Sequence, residues 1–483
     1  MLHRIAVQWV GHHDWNGAIW SVFARNFLRY GYATLGFGQA YFSGPLPETV
    51  DYYTHHSILI TIVLTELYRL FGIHEWVARL AACAATLVAT VAFYVLVRKL
   101  FERTTALYAT MIFSLCPMVL YFGRMYNHEA FELCWVVVSV LAYVRWTETR
   151  TSRDLAILAV SVFLAAMTAW PGYYLLVLLP LHYRLAVQNN DDRAVLVTML
   201  LSVALSAFAI YLAHAYSLKG PRVFSEMQRS INKGWFSHQL DWGPTIGNRQ
   251  LVKQELKLCM ALFTSPVVAL AAVGVASSIR QMLVRRRVDS ANAMLLMLLG
   301  FGGAHLLLFK QEVMMHDYYL YYLVPGVAIA AGSAMREIGA ALPSPTTRIA
   351  TLGVIAMMFL VLSAESTLAI HREHALDRAF YVELGEWMNA NTDFTDRVLF
   401  NVHIEGPFLM LYADRALVDE VDSWEKVRRA MAERTVLVMR AGRTPRLERY
   451  VRRRYPTEVV TRGGETVYVA RSWVERHRAP TRL

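Results

Sequence analysis

The sequence predicts an α-helical protein that crosses the membrane about ten times, with additional juxtamembrane helices and a small C-terminal α/β domain. Composition is the first reason, because the 483 residues are 56% hydrophobic and only 18% charged, with a mean hydropathy of +0.33. The second reason is a series of apolar runs close to the roughly 20 residues that a spanning helix needs. The third is a change, near position 371, to shorter segments typical of a soluble domain.

The apolar runs divide the chain into three predicted parts. An outer-face juxtamembrane region, 1–75, precedes the transmembrane helical domain, 76–370, and an extracytoplasmic α/β domain, 371–483, follows it. The predicted spans are 76–97, 104–122, 129–146, 154–169, 173–187, 194–216, 255–279, 291–309, 317–335 and 349–370. Pro171-Gly172 separates two short runs, and we interpret these as two tight spans because the charge count favours two over one kinked element.

Basic residues orient the predicted spans, because cytoplasmic loops are enriched in lysine and arginine. When the turn that holds Arg98, Lys99 and Arg103 is placed in the cytoplasm, alternation puts every strongly basic short loop on that side. The opposite, outer side then collects residues 1–75, 124–129, 217–254 and 310–317 together with the C-terminal segment. The net charge of +11 is therefore interpreted as membrane orientation, and nucleic-acid binding is not expected.

The first 75 residues contain no predicted span. Residues 15–30 form an amphipathic pattern that predicts a helix lying in the membrane interface, with Arg25 and Arg29 away from its apolar face. That apolar face consists of Trp15, Ile19, Val22, Phe23 and Phe27. The 57–71 run carries two charges and is likewise predicted to be juxtamembrane. Because an outer N-terminus must be carried across the bilayer, either it is translocated unaided or a further span precedes Met1, and we favour the second.

The C-terminal segment has the pattern of a small α/β domain. Apolar spacing predicts helices at 377–391 and 423–433. Alternation and β-branched residues predict strands at 397–402 and 435–439, and a hairpin at 459–469 around Gly463-Gly464.

Two carboxylates, those of Asp14 and Glu129, are far apart in the sequence, yet both fall at the outer rim of the predicted membrane domain. Acidic side chains are costly near a bilayer and usually have a function there. Each also has a structural alternative. Asp14 can cap the helix that follows it, and Glu129 can simply begin its span, where a carboxylate favours the helix N-terminus. Glu132, one turn later, faces nearly the same way and competes with Glu129 for any role.

An ordered set of short motifs lies on the outer side. They are His-Asp-Trp-Asn-Gly-Ala (13–18), Ala-Arg-Asn-Phe-Leu-Arg-Tyr-Gly (24–31), Tyr-Tyr-Thr-His-His (52–56), Phe-Gly-Ile-His-Glu-Trp-Val-Ala-Arg-Leu (71–80), Tyr-Phe-Gly-Arg-Met-Tyr-Asn-His-Glu (121–129) and His-Asp-Tyr-Tyr (316–319) ahead of Pro325. In these motifs the chain resembles the GT-C membrane glycosyltransferases of the protein-mannosyltransferase and aminoarabinose-transferase type (glycosyltransferase family 39-like), over roughly residues 10–370.

The resemblance implies transfer of a sugar from a polyprenyl-phosphate carrier to an acceptor hydroxyl at the outer leaflet of a bacterial plasma membrane. The acceptor class stays open among lipids, glycans and proteins. In such enzymes an acidic residue of the first outer loop is the catalytic base, and Asp14 occupies that position. Glu129 matches a second acidic residue at the start of a later span. The family often has His-Pro-Pro after its aromatic stretch, whereas this chain has His55-His56-Ser57, which leaves the backbone there less constrained.

Glycosyl transfer needs a base for the acceptor hydroxyl, room for in-line attack, and cations that stabilise the leaving phosphate. Partial desolvation at a membrane interface raises the pKa of a carboxylate, which suits Asp14 to the role of base. The candidate substrate-binding residues are His55, His56, Arg124, Lys310, His316, Tyr318 and Tyr319. For the two tyrosines, an interfacial aromatic belt is the structural alternative.

The remaining predictions from the sequence concern cofactors and the alternative class of function. No cofactor is expected to be required, although a divalent metal between Asp14, His128 and Glu129 is conceivable. The alternative function is a polytopic transporter or flippase for a cell-envelope lipid or polysaccharide. A transporter of this kind typically has internal repeats and ionisable residues near the membrane midplane. The sequence contains no evident repeat and its acidic residues cluster at one rim, so an enzyme is favoured.

Overall fold

The structure, a computed structural model, describes residues 1–187, 192–235, 248–401, 406–418, 423–432, 435–462 and 464–472. It divides into two compact units. The first, which we call the helical unit, consists of Met1–Ile5, Thr54–Val63 and Arg79–Glu373. The second, the α/β unit, consists of Ala6–Tyr53, Leu64–Ala78 and His374–Leu483.

Helices dominate the described residues. The α-helices are α1 (Asp14–Tyr30), α2 (Leu59–Phe71), α3 (Glu75–Leu100), α4 (Arg103–Leu115), α5 (Pro117–Phe122), α6 (His128–Thr149), α7 (Ser152–Thr168), α8 (Leu175–Ala186), α9 (Arg193–Lys219), α10 (Arg222–Trp235), α11 (Asn248–Leu262), α12 (Ser265–Arg285), α13 (Ser290–Leu308), α14 (Lys310–Met315), α15 (Val324–Ala341), α16 (Pro345–Glu373), α17 (Ala379–Asn391), α18 (Gly406–Ala413), α19 (Trp424–Ala430) and α20 (Pro445–Arg454). Short 3₁₀ helices, Trp170–Tyr174 and Asp317–Leu323, lead into α8 and α15. The strands are β1 (Gln39–Ala40), β2 (Tyr52–Tyr53), β3 (Arg397–Phe400), β4 (Ala416–Val418), β5 (Thr435–Arg440), β6 (Thr457–Arg462) and β7 (Glu465–Arg471).

Among the described residues, six helices are long and apolar enough to cross a membrane, namely α3, α6, α9, α12, α13 and α16. Each of them overlaps one of the predicted spans, and together they make this a multi-pass membrane protein. The other four predicted spans correspond to shorter or interrupted helices: α4 with α5, α7, α8 with its 3₁₀ turn, and α15 with its 3₁₀ turn. The number of crossings therefore stays a prediction.

Two predicted spans are interrupted where proline begins a new helix. The span predicted at 104–122 is not one continuous helix, because α4 ends before an extended Cys116 and Pro117 starts α5. The span predicted at 255–279 is also interrupted, since α11 ends at Leu262 and Thr264 has a φ of +74° ahead of α12. Proline is tolerated at the first helical position because its missing N–H would be unpaired there. The predicted outer loop 217–254 contains α10 and the start of α11, and its positions 236–247 lie outside the described residues.

Small residues bring the helices of the helical unit close together. A Cβ added at Gly274 of α12 would lie 2.0 Å from the carbonyl oxygen of Ala330 in α15. A Cβ at Gly332 of α15 would lie 2.7 Å from the backbone nitrogen of Ala109 in α4. Such close backbone approach is a usual way for helices to associate in lipid, where burial of apolar surface contributes little.

The C-terminal part of the α/β unit is a five-stranded sheet with the order β4-β3-β5-β7-β6. Strand β3 runs parallel to β4 and β5, whereas β7 runs antiparallel to β5 and β6. Side chains alternate between faces, so that Val436 and Val438 pack with helices α17 and α18, while Leu437 and Met439 pack with α19 and α20. The predicted strands and helices are confirmed in their described parts. Val402, Glu433 and Gly463 lie outside the described residues.

The interfacial position predicted for residues 15–30 does not describe α1 well. Every residue from Gly17 to Phe27 is buried, including Arg25, which was predicted to lie away from the apolar face. Asp414 explains this burial, because its Oδ1 lies 3.1 Å from Nη1 of Arg25 and its Oδ2 pairs with Arg29. Burial acts to raise the pKa of Asp414, but the hydrogen bond from Arg29 and the charge of Arg25 outweigh it and lower that pKa.

Candidate functional site

The candidate base, Asp14, is the first residue of α1 in the α/β unit. Its Oδ2 accepts hydrogen bonds from the backbone N–H groups of Gly11 at 2.9 Å and Val10 at 3.2 Å. Both donors precede the helix, so the carboxylate orders the loop that leads into α1. The structural alternative, in which Asp14 caps the helix, is wrong, because the N-cap residue is His13.

The loop that carries Asp14 is attached to the segment that follows α16. The backbone N–H of Arg378 donates to the carbonyl oxygen of Val10 at 2.9 Å. A Cβ added at Gly11 would lie 3.0 Å from the carbonyl oxygen of His374, so the two backbones are in close contact. The rings of His12 and His374 lie 5.2 Å apart. Burial lowers the pKa of His12, and the neighbouring His13 and Arg378 lower it further. Asp14 is thus an ordered, half-buried carboxylate beside several imidazoles.

The helical unit contains a second group of candidate residues around the start of α6. Glu129 is only 5% exposed, and its Oε2 makes no hydrogen bond among the described residues. Glu132 is fully buried, and neither of its carboxylate oxygens is hydrogen-bonded there. The backbone amides of Ala169 and Gly172 lie close to the Glu132 carboxylate. Two buried and incompletely paired carboxylates in one membrane helix are costly to stability, which indicates a function.

Histidines of the helical unit contact one another or nearby tyrosines. The rings of His56 and His128 are in contact, with centroids 3.9 Å apart. Burial, together with the neighbouring His55, lowers the pKa of His56 to about 3, so its ring is neutral at physiological pH. His305, on α13, contacts Tyr319 and Tyr322 with ring centroids 4.6 and 4.7 Å away. Neutral imidazoles and phenols can donate hydrogen bonds to a polar ligand without adding buried charge.

We call the following group of residues the polar cluster: His56, His128, Glu129, Glu132, His305, Tyr319 and Tyr322. An aromatic cavity of about 400 Å³ adjoins the polar cluster in the helical unit. Its lining residues are Thr54, His55, Trp170, Tyr173, Tyr174, Phe208, Tyr211, Val223, Glu226, Met227, Leu308 and Phe309. Tyr174 connects the cavity to the cluster, because its hydroxyl lies 3.2 Å from Nδ1 of His305. Glu226, another lining residue, is paired with Nζ of Lys219 at 3.0 Å. The cavity is of a size and character that suit a small, partly apolar ligand.

The predicted site residues are distributed over several places. His56, Glu129 and Tyr319 belong to the polar cluster, and His55 lines the aromatic cavity. The other predicted residues of the helical unit have local partners. Arg124 donates to the carbonyl oxygen of His3, His316 stacks on Tyr318 and pairs with Glu312, and Lys310 begins α14. Asp14 lies in the α/β unit, so its candidate role rests on that unit's own geometry.

Sequence reasoning missed His305 and Glu226. His305 had a usable signal, because an ionisable residue inside an apolar span is a functional candidate by default. Glu226 had none, since it lies in a long, polar outer loop where charged residues are ordinary. Its position beside Thr54, 172 residues earlier in the chain, becomes visible only in the folded protein.

Comparison with known proteins agrees with this architecture. Residues 55–217 match the family model described as dolichyl-phosphate-mannose-protein mannosyltransferase. No curated protein matches the chain in sequence. ArnT from Cupriavidus metallidurans, in a crystal structure bound to undecaprenyl phosphate, superimposes with a TM-score of 0.63 at 15% identity, covering 94% of this chain and 93% of ArnT. The chain has the GT-C fold of membrane glycosyltransferases.

A second GT-C structure supports the same conclusion about fold. The oligosaccharyltransferase AglB from Archaeoglobus fulgidus, in complex with an inhibitory peptide and a dolichol-phosphate, superimposes with a TM-score of 0.59 at 14% identity. That match covers 98% of this chain and 72% of AglB. The resemblance to GT-C glycosyltransferases predicted from the motifs is therefore confirmed, as is the helical membrane fold with a small C-terminal sheet.

Proposed function

We propose that this protein is a membrane glycosyltransferase that moves a sugar from a polyprenyl-phosphate-linked donor to an acceptor hydroxyl at the outer leaflet. The observation that carries the proposal is the pair of buried carboxylates, Glu129 and Glu132, beside an aromatic cavity in a GT-C fold. The ligands of the similar structures, undecaprenyl phosphate and dolichol-phosphate, support a lipid-phosphate donor. We place the protein in the bacterial plasma membrane with its active face extracytoplasmic.

Asp14 is our candidate for the general base. Its Oδ2 is held by two backbone N–H groups, which fixes the direction of the carboxylate. In the proposed step the acceptor hydroxyl loses its proton to Asp14 while its oxygen bonds to the anomeric carbon of the donor sugar. The bond from that carbon to the phosphate oxygen breaks, and the phosphate leaves with the electron pair. A positioned base typically contributes about 100-fold or more to the rate.

The aromatic cavity is our candidate for the donor sugar. Trp170 and Tyr211, whose rings lie 5.3 Å apart in an edge-to-face arrangement, offer apolar faces to a pyranose ring. Tyr174, whose hydroxyl lies 3.2 Å from Nδ1 of His305, and the carboxylate of Glu226 are polar groups of the cavity lining. Lys219, which pairs with the lining residue Glu226, is the cation that we assign to the leaving phosphate.

We propose that the transfer step itself needs no metal, because neutral donors and a lysine can stabilise the leaving phosphate. Glu129 then serves to orient hydroxyl groups of the sugar, since a buried carboxylate with an unpaired oxygen is a strong hydrogen-bond acceptor.

The test is sugar transfer from a radiolabelled polyprenyl-phosphate donor in reconstituted vesicles, with a bacterial envelope extract as acceptor. Asp14→Asn, Glu129→Gln and the matched control Glu48→Gln, an exposed acidic residue of the α/β unit, are compared with wild type after their folding has been verified. We expect about a 100-fold loss in Asp14→Asn, a clear loss in Glu129→Gln, and wild-type activity in Glu48→Gln.

The outcomes separate the alternatives. Full activity in Asp14→Asn would move the base to another residue, Glu129 first. An equal loss in Glu48→Gln would mean that any charge change in this unit disturbs the protein. No transfer by wild type, together with movement of the labelled lipid across the vesicle membrane, would replace the enzyme with a flippase.

A further inference from the structure

We propose that His12, His374 and Asp377 form a divalent transition-metal site that fastens the loop carrying Asp14 to the segment that follows α16. One ligand atom from each of these three side chains lies within 4.8 Å of the others. All three residues belong to the α/β unit. The site is distinct from the metal between Asp14, His128 and Glu129 that the sequence made conceivable.

The geometry is close to that of a bound ion. Nδ1 of His374 lies 3.3 Å from Oδ2 of Asp377, about the separation of two ligand atoms that each bind one metal at 2.0–2.2 Å in tetrahedral geometry. The ring of His12 lies 5.2 Å from that of His374, at an angle of 31°. The ring of His13 lies 5.0 Å from both and is near enough to become a fourth ligand after a side-chain rotation.

The ligand set selects the class of metal. Two imidazoles and one carboxylate suit zinc and its neighbours in the first transition row, whereas magnesium and calcium prefer oxygen ligands. Three protein ligands with one open position are a common zinc arrangement. His12 and Asp377 are exposed, so the ion can enter from solvent.

Metal binding at this site would connect the loop that carries Asp14 to a second segment of the chain. His12 lies two residues before Asp14, and His374 follows α16, which ends at Glu373. The two segments already share the hydrogen bond from Arg378 to Val10 and the close contact at Gly11. A metal that binds both would restrain the loop whose N–H groups orient the Asp14 carboxylate. The positioning role rests on the proposed function, whereas the metal binding does not.

Arg378 opposes the metal and offers a second, sharper test. Its Nη2 lies 3.4 Å from Nδ1 of His12, so its guanidinium competes for that imidazole and repels a cation. Replacing it with glutamine keeps the backbone hydrogen bond to Val10 and removes the charge. Arg378→Gln should therefore bind the metal several-fold more tightly than wild type, an effect that a general loss of structure would not produce.

The experiment uses the full-length protein in detergent, treated with chelator and then titrated with Zn²⁺ alone by calorimetry, or with Co²⁺ followed by its visible absorption. We expect one ion per chain in wild type and at least about a tenfold loss of affinity in His12→Ala, His374→Ala and Asp377→Asn. His371→Ala is the matched control, because His371 contacts His3 in a separate imidazole pair of the helical unit. It should bind as wild type does. A parallel measurement of amide hydrogen exchange should show Zn²⁺ slowing exchange at Val10 and Gly11.

Several results would overturn the proposal. Wild-type affinity in both His12→Ala and His374→Ala would do so, as would an equal loss in His371→Ala, which would place the ion elsewhere. Unchanged or weaker binding in Arg378→Gln would contradict the assigned geometry. Metal binding without slower exchange in the Asp14 loop would remove the positioning role. None of these measurements depends on transfer activity, so failure of the proposed function would be seen separately.

Discussion

Glu132 provides the most demanding test of the idea that the helical unit gives up stability for function. Its side chain is fully buried in α6, and neither carboxylate oxygen has a hydrogen-bond partner among the described residues. One buried polar group left unpaired costs about 1–3 kcal/mol. The nearby amides of Ala169 and Gly172 offset part of that cost electrostatically. We therefore expect Glu132→Leu, which keeps a similar volume without a polar group, to raise the free energy of unfolding by about 1–2 kcal/mol.

The assay is thermal unfolding of the purified protein in detergent, followed by loss of the monodisperse peak in size-exclusion chromatography. Each kcal/mol raises the midpoint by at most about 2–4 °C in a chain of this size, so the expected increase in stability should raise it by a few degrees. Ser139→Ala, on the same helix, is the matched control. Its hydroxyl is also fully buried and unpaired among the described residues, so its removal should stabilise the protein slightly and leave transfer unchanged.

Stability and activity should move in opposite directions in Glu132→Leu, with a higher midpoint and a large loss of transfer. A midpoint below that of wild type would refute the reasoning, because it would mean that the carboxylate makes a stabilising contact. A higher midpoint with full activity would keep the energetic argument and remove Glu132 from the site.

Three further predictions concern the units separately. Asp414→Asn should destabilise the α/β unit by about 3 kcal/mol because it leaves the buried Arg25 uncompensated. Since the pKa of Asp414 is lowered on folding, its contribution should be present above its usual range and be lost as the pH falls through the lowered value, which acid unfolding curves of wild type and variant would show. Gly172→Ala should lose about 2 kcal/mol in thermal unfolding, because the new Cβ would lie 2.5 Å from the carbonyl carbon of Ala165, whereas Gly300→Ala, with open space around it, should not. Trp170→Ala should raise the KM for the donor about tenfold by removing one apolar face of the cavity, with a smaller effect on kcat.

The fold was predictable from the sequence to the extent that its signals are local. Six long apolar runs became helices able to cross a membrane, and alternation located the strands of the C-terminal sheet. Two of the predicted spans are each divided into two helices, one at Pro117 and the other around Thr264. Proline was visible in both places, but a membrane helix can also continue through proline with a kink. The sequence therefore did not decide between one kinked helix and two separate helices.

The buried position of Arg25 shows a different limit. Helical periodicity assigned it to a solvent-facing side, and that reasoning is sound for an isolated helix at an interface. The partner that permits its burial, Asp414, is 389 positions away and follows a part of the chain with a soluble pattern. The guanidinium of Arg25 also donates to the carbonyl oxygens of Met410 and Leu411. Periodicity within one helix contains no information about such a partner.

The sequence predicted which types of residue to test at the candidate site, but it did not predict how these residues contact one another. The motifs identified Asp14 and Glu129 as acidic residues worth testing, while the contacts that give them meaning join distant segments, such as His56 with His128 and Tyr174 with His305. A polar cluster of this kind in a membrane unit is maintained against a continuous energetic penalty, because apolar residues of similar size would pack there at lower cost. Packing alone therefore gives no reason for Glu129, Glu132 and three neighbouring histidines to occupy one buried region. Under the proposed function, binding of a polar substrate supplies that reason, since a sugar phosphate would complete the hydrogen bonds that the two carboxylates lack among the described residues. The same argument predicts that donor binding stabilises the helical unit more than any substitution that removes one of these groups.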